Sequence, residues 1–172
     1  SDNRFVKKAI NGLIVPKLKE LGFSGTPTNL RRDTASEFHF VQISATKYGG
    51  AFGISGGWMK KPRGGAGEAW SIANTDFEKR AVITQPAEIW NVDRTRLPYR
   101  PKVFDYRHMI TDEDACQKLV KEAARCIPAL DHWFQTKEMG EELDVVFDTI
   151  GSAPNADLGW AIAQAKAELG LY

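Results

Sequence analysis

The sequence predicts an α+β fold: an antiparallel sheet with an N-terminal helix and a C-terminal group of helices packed on it, in one domain spanning residues 1–172. Three observations predict it. Apolar residues recur at spacings of three and four up to Leu21. They alternate with period two between Thr28 and Trp58, and return to helical spacing after Thr111. Strands segregated from helices indicate α+β rather than alternating βα units. With 172 residues, 42% hydrophobic and 26% charged, the composition is ordinary for one folded domain. No apolar run approaches the roughly 18 residues of a membrane span. No charged-then-apolar leader is visible either.

In the first segment Val6, Ile10, Leu13, Ile14, Leu18 and Leu21 form one stripe. Asn3 is expected to cap the helix, and Gly22 with Phe23 to close it. Pro16 should kink or split it, because proline lacks the N–H and crowds the preceding turn. Thr28–Arg32 reads as a short strand and Asp33–Ser36 as a turn. Glu37–Thr46 is the strongest strand pattern: His39, Val41, Ile43 and Ala45 fall on one side, Phe38, Phe40, Gln42 and Ser44 on the other. "KYGG" suits a hairpin turn, after which Ala51–Trp58 returns antiparallel. That strand is bulky on one face (Phe52, Ile54, Trp58) and bare on the other (Gly53, Ser55, Gly57). The bare face is expected to admit a helix, the one holding Ala9 and Gly12, with Ser55 the residue there able to address a ligand.

Met59–Ala69 reads as a basic, glycine-rich loop. Trp70–Asn74 and Arg80–Thr84 read as strands, or as a strand with a short helix between. Ile89–Val92 and Lys102–His108 look extended, around a proline-broken "DRTRLPYRP". Thr111 with Asp114 resembles a capping box, and Ala115, Leu119, Val120, Ala123 and Ile127 form the stripe that follows. Pro128 is expected to open a short helix, followed by helices over Glu138–Ile150 and Asn155–Leu169.

"LKELGF", "LRRD", "VQISATKYGG" and "FGISGGW", taken in order, resemble an uncharacterised bacterial family, domain of unknown function 4304. The resemblance covers about the first 60 residues and implies the fold without implying an activity. In that family the first hairpin strand carries an amide pair in a "VNIQ" pattern, which here corresponds to Gln42 and Ser44. An Asn of the returning strand corresponds to Ser55.

Catalytic chemistry finds little support in the spacing. The three histidines, His39, His108 and His132, are far apart, and no Cys/His spacing suits a metal. His39 reads as a core histidine with a satisfied ring. No nucleophile elbow or phosphate-binding glycine motif is present. Cys116 and Cys126 stand ten residues apart on a predicted helix, about 15 Å, beyond disulfide reach. Reduced thiols and a cytoplasmic setting are therefore expected, with no cofactor and no metal. Cys116 lies in a first helical turn, which favours a thiolate, but shares it with three acids that oppose one. The acids on 138–148 read as a solvated surface.

Charge is uneven along the chain, with 18 Lys and Arg against 10 Asp and Glu up to Ile110, and 5 against 12 from Thr111 onward. Halves of opposite sign can simply attract each other. A basic face meeting an acidic partner is the functional alternative. The densest basic–aromatic run includes Trp90, Arg94, Arg96, Tyr99, Arg100 and Lys102. Such composition suits an interface. The sequence therefore predicts a non-enzymatic binding or interaction protein, with an immunity-type protein as one version, this ribbon contacting an acidic protein partner. A small-ligand binder or enzyme using a cleft between sheet and helices is the second expectation. Nucleic-acid binding comes third, because the chain is near neutral overall.

Overall fold

A computed structural model describes residues 3–45, 49–63, 70–84 and 102–145. The first helix is split as its proline requires. It runs as α1 (Arg4–Ala9), a π-helical stretch Ile10–Ile14, and α2 (Val15–Glu20), with Pro16 in the first turn of α2. The N–H of Val15 reaches back five residues to Ile10. That wider turn accommodates the missing donor and the bulk of the Pro16 ring. Asn3 makes no side-chain cap. Its amide oxygen instead accepts from the Tyr106 hydroxyl at 2.8 Å. At the other end the Phe23 N–H bonds Leu18 O and Gly22 takes φ +94°, a left-handed closure open to glycine.

Strands β1 (Ser24–Thr26), β2 (Asn29–Asp33), β3 (Glu37–Ala45), β4 (Ala51–Lys60), β5 (Arg80–Ile83), β6 (Phe104–Asp105) and β7 (Leu143–Val145) form one antiparallel sheet. Their order is β1-β2-β3-β4-β5-β7, and β6 pairs with β4 beyond the end of β5. The β3–β4 register places Ile43 opposite Ile54, Val41 opposite Gly56 and Gln42 opposite Ser55. The predicted alternation is therefore realised: His39, Val41, Ile43, Phe52, Ile54 and Trp58 share one face.

That face meets the helices. The main core joins it to Val6, Ile14 and Leu18 of the N-terminal helix, to Leu119, Val120 and Ala123 of α3 (Glu113–Arg125), and to Leu130, Trp133 and Phe134 of α4 (Ile127–Thr136). The opposite face has a smaller cluster of its own, Phe38, Phe40 and Ile72, with Met59 and Trp70 against it. Ile72 lies on a 3-10 turn, Ile72–Asn74, whose Ser71 and Asn74 cap it reciprocally.

Several expectations are corrected. The N-terminal helix does not sit on the bare face of β4. A Cβ built on Gly12 would meet nothing within 4 Å. The bare face is covered instead by Ile72 and Thr75 at Gly57, and by the Lys102 carbonyl and the Val103 side chain at Gly53. The closest helix approach is on the bulky face, where a Cβ on Gly56 would lie 2.8 Å from Leu130 and 2.9 Å from Phe134. Helix α3 is capped by Asp112, which accepts from the Ala115 N–H at 3.0 Å, so Thr111 is not the cap. The aspartate one residue later already supplies the acceptor and suits the positive helix end. No helix begins at Glu138. After α4, Lys137 takes φ 63°, an irregular stretch containing Gly140 follows, and β7 pairs with the open edge of β5. Burial of Leu143 beside Ile83 outweighs the helical spacing of that segment. The remainder of that expected helix, the Asn155–Leu169 helix and the Ile89–Val92 strand lie outside the described residues.

Candidate functional site

A cleft of about 270 Å³ lies between the first helix and the sheet. The helix contributes Asn3, Val6, Lys7, Ile10 and Asn11, one face at spacings of three and four. The tight β1–β2 turn contributes Pro27 and Thr28, held over the sheet because the Ile43 N–H bonds Pro27 O at 2.8 Å. The floor is Ile43, Ala45, Phe52 and Tyr106. The lining is mostly apolar, with a few polar groups at its edge, the usual composition of a small-molecule site.

Phe52 stacks on Phe104 at 5.1 Å between ring centroids, which fixes the floor. Tyr106 is held at both ends: its N–H bonds Gly50 O at 2.7 Å and its hydroxyl bonds Asn3. Gly50 takes φ +84°, and a Cβ there would run into Arg107. Burial holds the Tyr106 hydroxyl above its ordinary pKa, so it stays a neutral donor. Lys7 is the charged residue of the lining, exposed, with no ion pair among the described residues. Its neighbour Lys8 is paired with Glu113 at 2.6 Å.

A second polar cluster sits between β2, β3 and α4. Arg32 donates to Asp131 at 2.7 Å, to Leu21 O at 2.9 Å and to His39 Nδ1 at 3.0–3.2 Å. His39 is buried, stacked on Phe134 at 4.6 Å, with its Nε2 unbonded and 3.7 Å from Glu37. Burial, aided by the Arg32 charge, pushes its pKa down to about 4. Both Glu37 oxygens are held by Lys137, whose ammonium also lies 4.3 Å over the Trp58 ring. His39 is thus a core histidine, as its place in the strand predicts, but with one ring nitrogen unsatisfied. A substrate has no route to a ring 3% exposed, so this cluster ties α4 to the sheet rather than doing chemistry. Cys116 is likewise buried, and burial raises its pKa, so it is a packed thiol. No group of three metal-ligating side chains occurs among the described residues.

Of the site residues predicted from sequence, Trp90, Arg94, Arg96, Tyr99 and Arg100 lie outside the described residues. Lys102 is half-buried and donates to Val145 O at 2.9 Å. Ser55 is half-buried between Gln42 and Val82, on the face that the Lys102 backbone covers at Gly53. Neither lines the cleft. The residues that do (Lys7, Asn11, Thr28 and Tyr106 among them) carry no motif. Their one signal is the polar edge of the first helical stripe.

Fold and site together define an α+β protein with an apolar cleft beneath its N-terminal helix. No protein-family model, curated protein or solved structure matches the chain. No helix among the described residues is long and apolar enough to cross a membrane.

Proposed function

We propose that this protein binds a small, largely apolar molecule in the cleft between α1 and the sheet. The observation that carries this reading is a cleft of about 270 Å³ floored by Ile43 and Phe52 and edged by hydrogen-bonding side chains. An engineered cavity of about 150 Å³ accepts benzene, so this one suits a ligand of roughly ten non-hydrogen atoms. The interaction reading, with an acidic partner on the basic–aromatic ribbon, rests on sequence clustering at 90–108. The described part of that stretch is 102–108, where Lys102 donates to Val145 O and Arg107 pairs with Asp105.

Calorimetric titration with 1-octanol tests the cleft. The wild type is expected to bind one equivalent. Ala45→Phe, which fills the mouth from an exposed strand end, is expected to abolish binding without lowering the melting temperature. Equal binding by wild type and variant overturns the reading, as does no binding by either.

A further inference from the structure

We propose that the ligand is an apolar monocarboxylate, with its tail on Ile43 and Phe52 and its carboxylate on Lys7 at the open side. This rests on the cleft being a ligand site and adds the chemical class. The charge pattern carries it. Lys7 is the charged lining residue, and no Asp or Glu among the described residues shares the lining. Elsewhere among the described residues some cations meet an acid at short range, whereas exposed lysines such as Lys17, Lys19 and Lys118 do not. Lys8 meets Glu113, Arg32 meets Asp131, Arg107 meets Asp105, and Lys137 meets Glu37. Lys7, one residue from the paired Lys8, has no such partner among the described residues.

A lone ammonium above an apolar floor favours an anion with a hydrophobic body over a neutral or cationic one. The floor lowers the local dielectric and strengthens the attraction. The Asn11 amide and the Thr28 hydroxyl lie in the same lining and can donate to the second carboxylate oxygen. One ammonium and two neutral donors suit a monoanion. A phosphate dianion is better met by the bidentate guanidinium of arginine, and no arginine among the described residues lines the cleft.

The test compares octanoate, 1-octanol and octylammonium, titrated into the full chain and followed by amide chemical shifts. Octanoate is expected to bind roughly two- to fivefold tighter than 1-octanol, as a charge-assisted contact to an exposed lysine allows. Octylammonium should bind more weakly than both. Added salt should shrink the octanoate advantage. Lys7→Met, an exposed change that keeps the aliphatic stem, should remove that advantage and leave 1-octanol unaffected. The carboxylate proposal is overturned if 1-octanol matches octanoate in the wild type, or if Lys7→Met keeps the difference. If neither compound shifts the cleft residues, the ligand-site reading itself fails.

Discussion

Gly56 and Gly12 are both glycines within secondary structure, and they should respond to alanine in opposite directions. At Gly56 the added methyl meets Leu130 and Phe134 inside 3 Å, on a helix packed against the strand. Gly56→Ala is expected to cost about 1–3 kcal/mol by overpacking. At Gly12 the methyl meets nothing within 4 Å, and helical alanine is favoured over glycine. Gly12→Ala should stabilise by about 0.5–1 kcal/mol. Urea denaturation of both variants reads the contrast. His39 sets a pH dependence. Its folded pKa of about 4 lies below the ordinary 6.5, so as pH falls the unfolded chain takes the proton first. Its contribution is complete above pH 6.5 and is lost as pH falls toward 4, on the order of 3 kcal/mol. The stability of the wild type relative to His39→Gln should therefore fall as the pH goes from 7 to 4. Parallel curves between pH 7 and 4 would remove His39 as the source. The alternation in β4 was legible in the sequence. Which face received the helix was not, because both faces carry glycines and a one-dimensional pattern does not say what packs on each.

Among the elements, the helical spacing of 138–150 was outweighed by pairing. Leu143 suits either a helix face or a strand interior, and the free edge of β5 decides between them. That edge is a fact of tertiary structure. The split of the first helix, by contrast, was legible, because Pro16 removes a donor wherever it sits. The π form of the split was not, since it depends on how Ile10 and Ile14 settle into the core. If β7 holds the edge of the sheet, Leu143→Ala should cost about 2–4 kcal/mol. It should also raise amide exchange in Ala81–Ile83 selectively. Uniform exchange across the sheet would argue against β7 as a distinct edge strand.

At the scale of the whole molecule, two ion pairs among the described residues join a base of the first part of the chain to an acid of the last. Arg32 reaches Asp131 and Lys8 reaches Glu113, each basic residue from the first part and each acid from the last. The two pairs should weigh very differently. The Arg32–Asp131 side chains are 14% and 16% exposed, so Asp131→Ala strands a guanidinium and is expected to cost about 2–3 kcal/mol. Lys8 is 68% exposed, and Lys8→Ala should change stability by less than about 0.5 kcal/mol. Melting both variants at low and high salt checks the ranking. The cleft was the least legible feature, because its residues come from 3–11, 27–28, 43–45, 52 and 106 and meet only once the sheet and helix have formed.

Isoleucine methyl spectra of the protein titrated with octanoate test the cleft most directly. Ile10 and Ile43 line it, whereas Ile83 and Ile127 lie in the core away from it. Saturable shifts of the Ile10 and Ile43 methyls are expected, with Ile83 and Ile127 unmoved. Shifts confined to Ile83 or Ile127, or no saturable shift at Ile10 and Ile43, would contradict a ligand site in the cleft.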